Sequence, residues 1–296
     1  MERVKLSDEI EFSRIAYGMW RLSDDPNVST DHVRKKIELC IEQGITTFDQ
    51  ADIYGDYGAE EVLGKVLSQD KSLRGQMEIV TKCDIIAPIG KFKNEKVKYY
   101  DTSKEHLTYS VDSSLANMCI EQIDLLLIHR PDPFMDVEET AESLDNLVKN
   151  GKVKAIGVSN FRPWDWSLLQ SSMKNKLLTN QIEFSLVKHE PLTNGDLSFH
   201  YKERIPIMAW SPLGGGDLLN SKGKLYNSLD TIARSYDTDL AAVALSWILA
   251  HPSKIIPVVG TNNIDRISRI SEAFEVQLDK KTWYELYTAA IGGEVP

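Results

Sequence analysis

The chain has 296 residues and carries 44 acidic against 34 basic side chains, a formal net charge of −10. No stretch gathers Lys and Arg on one face, which excludes duplex nucleic acid as an expected partner, and no run of about 18 uncharged apolar residues exists to cross a membrane. Three cysteines (Cys40, Cys83 and Cys119) without C-x-x-C spacing make neither a disulfide framework nor a zinc site, and the first residues lack the apolar run of a signal peptide, so a reduced cytoplasmic protein is expected.

Apolar runs alternate with helical patterns along the whole chain. Residues 3–6 and 10–13, around Ser7-Asp8-Glu9, predict a small hairpin. Short apolar strands are then predicted at 15–17, 46–48, 78–81, 123–128, 153–158, 179–182, 207–210 and 255–258. Between them lie amphipathic segments. Residues 29–43 set Val33, Ile37, Cys40 and Ile41 at helical spacing, with Ser29, Thr30 and Asp31 as cap candidates and Gly44 as the stop. Residues 136–149 do the same with Ala141, Leu144, Leu147 and Val148. Residues 84–102 are the least patterned stretch and read as a lid or binding loop. Strand–helix alternation sustained eight times predicts a closed parallel sheet, a (β/α)8 barrel spanning residues 1–296 as one domain. A doubly wound open sheet would want G-x-G-x-x-G after its first strand, and the sequence has no such motif.

In such barrels reactive side chains collect at the C-terminal ends of the strands. Reading those positions gives Asp49, with Tyr54 five residues on, then Lys82, His129, Ser159-Asn160, Gln181, Trp210 and Gly260-Thr261. Each has a bland reading alone: an Asp can cap the next helix, a Tyr-Gly pair can serve a turn, and a strand-end His can be structural. Their joint placement at one rim argues for chemistry.

Three segments carry a family resemblance. Asp49-Gln50-Ala51-Asp52-Ile53-Tyr54-Gly55 resembles the D-x-A-x-x-Y-G signature of the aldo-keto reductases. Leu126 to Asp132 (LLIHRPD) resembles their L-L-x-H-x-P-D segment, and Gly151 to Phe161 (GKVKAIGVSNF) their G-K-V-R-x-I-G-V-S-N-F segment. The resemblance implies a catalytic tetrad of Asp49, Tyr54, Lys82 and His129, acting on a small carbonyl substrate. The chemistry agrees. A phenol with an ordinary pKa of about 10 is a poor acid at neutral pH unless a cation assists it. Lys82 can supply that charge, Asp49 can orient Lys82, and His129 can hydrogen-bond the substrate oxygen.

The resemblance also implies NADPH as cofactor, with NADH as the alternative, and no metal. Ser159, Asn160 and Gln181 match positions that hold the nicotinamide carboxamide, and Trp210 stands where the family stacks an aromatic on that ring. Ser211, Pro212, Leu213 and Gly214, followed by Gly215 and Gly216, resemble the loop over the pyrophosphate. Gly260, Thr261, Asn263 and Arg266 resemble the grip on the 2′-phosphate. Two departures stand there: Gly260 replaces a common Lys and Ile270 a common Asn, with Arg269 as the expected compensation. Gly18, Met19 and Trp20 resemble the entry to the active site, Trp20 lining the substrate pocket beside Tyr54 and His129, with Phe134 and residues 84–102 as neighbours. The short tail Gly292-Gly293-Glu294-Val295-Pro296 leaves an open pocket as the expectation. A monomer is the default expectation, Cys83 reads as an inert buried thiol, and a regulatory, dinucleotide-binding module or a sugar-phosphate barrel enzyme are the competing readings.

Overall fold

Eight of the apolar runs form parallel strands that close on themselves. The computed structural model of the chain describes residues 1–220 and 222–295; Pro296 of the expected tail lies outside them. Two strands come first, β1 (Arg3–Lys5) and β2 (Glu11–Ser13), paired antiparallel as the expected hairpin. The barrel strands are β3 (Ala16–Gly18), β4 (Thr47–Asp49), β5 (Glu78–Cys83), β8 (Ile123–Ile128), β9 (Val153–Ser159), β10 (Leu177–Glu183), β11 (Ile207–Trp210) and β12 (Ile256–Val259). They neighbour one another in that order, and β12 pairs with β3 through Val258↔Ala16 and Val259↔Tyr17 to shut the ring. The excursion after β5 contributes β6 (Ile85–Ile86) and β7 (Tyr99–Tyr100), an antiparallel ribbon where the sequence offered no pattern. Two-residue strands are too short to show a period.

Side-chain alternation divides the barrel wall. Ala16, Val80, Leu125, Leu127, Ala155, Met208, Ile256 and Val258 pack inside it, joined by Val4, Ile10 and Phe12 of the hairpin. The hairpin thus plugs one end of the barrel, and Arg3 fastens β1 to the barrel by an ion pair of 2.6 Å with Glu78. Alternate residues such as Ile79, Leu126, Ile128, Ile156 and Val158 face outward and pack with Val33, Ile37, Leu107, Val111, Leu144 and Leu147 of the surrounding helices. The helix Thr30–Glu42 buries Val33, Ile37 and Cys40 as its spacing predicts. It also buries Lys36, which polarity alone argues against; Lys36 is satisfied by Asp25 and by Asn262. The helix Val137–Lys149 is capped by the Asp136 carboxylate, which accepts from the Glu139 N–H at 3.0 Å. Among the described residues no helix is long and apolar enough to cross a membrane.

Period-two alternation has a consequence at the open end. The inward face that carries Val80 continues to Lys82, that of Leu127 to His129, that of Ala155 to Gly157 and Ser159, and that of Met208 to Trp210. Gly157 sits where β9 is squeezed between its neighbours. A Cβ there would lie 2.7 Å from Leu127 Cδ2 and 2.7 Å from the Thr179 carbonyl oxygen. Gly157→Ala is therefore expected to destabilise the fold by about 1–3 kcal/mol, because backbone must shift to admit the methyl. Thermal unfolding should report a melting temperature several degrees lower; an unchanged one would show that the barrel yields at this point.

Candidate active site

The floor of the site is a buried ion pair. Lys82, with no exposed surface, lies between Asp49 and Tyr54. Its Nζ donates to Asp49 Oδ1 and Oδ2 at 2.9 and 2.8 Å, to the Gln50 carbonyl at 2.8 Å, and contacts the Tyr54 hydroxyl at 3.1 Å. Two strands and one loop supply these groups: β4 ends on Asp49, the next residues loop to Tyr54, and β5 carries Lys82 beside them. His129 follows β8, its ring edge-on to Tyr54 with centroids 6.1 Å apart. Gln181 on β10 completes the shell by donating to Asp49 Oδ1 at 2.7 Å.

Charge and burial set the protonation states. For Lys82, burial pushes the pKa down, but the Asp49 carboxylate and Tyr54 outweigh it and hold the ammonium above its ordinary value. For Tyr54, burial is the largest influence and raises the phenol, Asp49 adds to that, and Lys82 and Arg130 pull the other way. The phenol is thus protonated at neutral pH, beside a cation that stabilises the tyrosinate left when its proton departs. Burial, then Lys82, Arg130 and Lys98, push His129 well below the ordinary histidine range, so its imidazole is neutral. Its Nδ1 is buried without a hydrogen-bond partner.

A cavity of about 1110 Å³ opens above this floor. Asp49, Tyr54, His129, Ser159, Asn160, Gln181, Trp210 and Gly260 all line it, with Trp20 at the mouth. The rim side chains are held by one another. Asn160, at φ 62°, donates to the Ser159 hydroxyl at 2.8 Å and to the His129 carbonyl at 3.2 Å. Its carbonyl oxygen accepts from the indole N–H of Trp210 at 2.9 Å, fixing that ring. Ser159 in turn donates to the Gln181 carbonyl at 2.9 Å.

The cavity runs on to a second wall made by Ser211, Pro212, Leu213, Gly215, Gly216, Thr261, Asn263 and Arg266. Arg21 bridges toward it, donating to the Gly215 carbonyl at 3.1 Å. Asn263 caps the turn Ile264–Ile267 by accepting from the Arg266 N–H at 2.9 Å. Gly260 abuts Gly18: a Cβ at 260 would lie 3.2 Å from the Gly18 carbonyl oxygen, a tight fit for a larger residue.

Several expectations need correction. Met19 does not line the cavity; its side chain is buried in the core, and its sulfur accepts from Gln50 Nε2 at 3.3 Å. Gly214 is also absent from the lining, because it turns toward Val187, whose Cγ2 would lie 2.4 Å from an added Cβ. Phe134 is 96% exposed and lies outside the cavity. Arg269 lines the cavity, but its guanidinium is committed to a two-point pair with Glu272 at 2.6 and 2.8 Å, so it is no free replacement for a lysine. The structure also adds residues that strand-end reading missed: Arg21, Asp56, Ile89, Lys98 and Arg130. Arg130 stood in the quoted H-R-P-D run; Ile89 and Lys98 come from residues 84–102, the stretch expected to border the substrate pocket.

Comparison with known proteins shows the family and the fold. The family model described as "Aldo/keto reductase family" matches residues 14–290. A 6-dehydroglucose reductase from Agrobacterium fabrum is 55% identical over the full length of both chains. An uncharacterised oxidoreductase from Bacillus subtilis is 40% identical, again over both full lengths. The crystal structure of an aldo/keto reductase from Klebsiella pneumoniae in complex with NADP superposes with a TM-score of 0.80 at 21% identity, covering 96% of this chain and 93% of that one. With the family match running from the end of the hairpin into the last helix, the chain belongs to the aldo/keto reductase family of NAD(P)H-dependent oxidoreductases.

Proposed function

We propose that this chain reduces a small polar aldehyde to its primary alcohol, with NADPH as reductant and Tyr54 as proton donor. The observation that carries the reading is the Lys82 ammonium bonded at once to Asp49 and to the Tyr54 hydroxyl on the cavity floor. NADPH, when bound, supplies the hydride. The residues present suit it: an indole face at Trp210 held by Asn160, polar groups at Ser159 and Gln181, and an arginine, Arg266, in the far wall. Tyr54 gives its proton to the carbonyl oxygen, Lys82 stabilises the resulting tyrosinate, and neutral His129 hydrogen-bonds the same oxygen as its charge grows. Asp49 keeps Lys82 charged and in place.

The substrate class is read from two supports. The substrate end of the cavity mixes apolar Trp20, Ile53 and Ile89 with Asp56, Lys98 and Arg130, a lining suited to a molecule rich in oxygen. The Agrobacterium relative is named for 6-dehydroglucose, a sugar bearing an aldehyde at C6, and that compound is the first substrate to assay.

Tyr54→Phe is expected to lower kcat for aldehyde reduction by about 10²- to 10⁴-fold while dinucleotide binding persists. NADPH consumption and a fluorescence titration on the same preparations check this, and an active phenylalanine variant would sink the tetrad. If wild type also binds but never turns over, the regulatory-module reading takes its place. Reduction needs the protonated phenol, so with the Tyr54 pKa raised the rate should hold through neutral pH and fall only as pH rises through that pKa. Lys82→Met removes the cation that lowers it, so the alkaline fall should move to higher pH as well as starting from a lower rate; a pH–rate profile shifted the other way contradicts the assignment. Arg266→Ala should weaken NADPH by about 10- to 100-fold and NADH far less, whereas an equal loss for both would remove Arg266 from the 2′-phosphate.

A further inference from the structure

Arg130 directly follows His129 and lines the same cavity. Its backbone N–H is pinned by Asp84 Oδ2 at 3.1 Å, which fixes the residue at the top of β8. Its guanidinium has no such tie. Among the described residues it enters no side-chain hydrogen bond and no ion pair, and its Nε is buried without a partner. A buried guanidinium N–H left unpaired is uncommon, because desolvation is lost without return.

The nearby acids do not neutralise it. Asp84 is fully buried; burial, reinforced by Asp52 and Asp132 and opposed by the Arg130 backbone N–H and charge, pushes its carboxyl well above the usual range, and among the described residues its Oδ1 has no partner and makes no ion pair with the guanidinium. Asp132 is occupied within its own loop, accepting from the Phe134 N–H at 2.8 Å and from the Thr102 hydroxyl at 3.3 Å. Asp49 is matched by Lys82. Of the charged groups on the substrate wall, Lys98 and Arg130 are cations without an ion-pair partner among the described residues, against the single carboxylate of Asp56. The wall therefore holds one more positive charge than negative.

We propose that Arg130 is a specificity-determining residue that seats a carboxylate on the substrate, so that this cavity reduces short aldehydes ending in a carboxylate in preference to uncharged aldehydes of the same length. The planar fork of a guanidinium matches a carboxylate in two-point contact, and a water-poor wall strengthens the pair. Arg130 follows His129 directly and lines the same cavity as Tyr54, which puts its guanidinium on the wall beside the reacting carbonyl. The chemistry is unchanged: the carbonyl carbon takes the hydride of NADPH, the carbonyl oxygen takes the Tyr54 proton, NADP⁺ and the ω-hydroxy acid leave, and the carboxylate only binds. This inference rests on the proposed carbonyl reduction at Tyr54 and names a substrate class beyond the neutral sugar aldehyde.

The test compares succinate semialdehyde with butanal, both of four carbons, using NADPH consumption by wild type, Arg130→Gln and Arg130→Lys. Wild type should favour the anionic aldehyde in kcat/KM by about 10- to 100-fold. In Arg130→Gln that ratio should fall close to one, with the loss in KM, and Arg130→Lys should restore part of it. A wild-type ratio near one, or a glutamine variant that keeps the ratio, overturns the proposal while leaving aldehyde reduction intact. Calorimetric binding of succinate to the NADPH complex reads the same site without turnover. Succinate should bind wild type and not Arg130→Gln, and this arm still decides the anion site if no aldehyde is reduced. Succinate binding equally to both, or to neither, overturns it.

Discussion

The site depends on one buried ion pair. An isolated lysine at the centre of a barrel mouth would shed its proton rather than stay charged, and an isolated aspartate would gain one. Here the Asp49 carboxylate, 2.8 Å away, holds the Lys82 ammonium above its ordinary pKa. Removing one partner of such a pair leaves an uncompensated charge, typically costing about 3–5 kcal/mol. The surroundings are arranged to hold that pair: Gln181 donates to the carboxylate, and the Gln50 carbonyl accepts from the ammonium. Tyr54 takes the remaining position on the ammonium, which ties the state of the phenol to the state of the pair.

Register makes this possible. Asp49 pairs across to Val80, and Lys82 lies two residues further on the same inward face, so the two side chains meet above the apolar plug without any special loop. The same alternation delivers Ser159 and Trp210 from strands on the far side. A slip of one residue in β5 would turn Lys82 outward and leave Asp49 unpaired. The apolar barrel interior, sealed below by Val4, Ile10 and Phe12, fixes that register by packing. The polar side chains of the cavity sit on the rim, and the apolar packing that fixes the register lies beneath it.

The loops divide the work differently. Residues 84–102, held to the barrel where the Tyr57 hydroxyl donates to the Ile85 carbonyl and accepts from the Ala87 N–H, bring Ile89 and Lys98 over the substrate end. The segments after β11 and β12 build the far wall of the cavity, with Tyr17 of β3 donating to the Thr261 carbonyl at 2.7 Å. Lys36 reaches the same segment through Asn262, so a residue buried in a surrounding helix helps position the wall that contains Arg266.

The sequence by itself determined the eight strands, the hairpin and the residue types at the strand ends, because buried parallel strands are short apolar runs and the helices between them repeat at helical spacing. Ile123–Ile128 and Ile207–Trp210 were legible to the residue, since apolar runs with abrupt polar ends leave no freedom in their bounds. Only the tertiary structure decided which of the rim residues face the cavity. Met19 looked like Gly18 and Trp20 in the chain, yet alternation and a sulfur contact with Gln50 turn it into the core. Arg269 looked free until its partner Glu272, three residues on, was seen to occupy it. Lys98 and Arg130 line one cavity across a gap of about thirty residues, and no local pattern encodes the placement of two segments that come to the same cavity only after the barrel has closed.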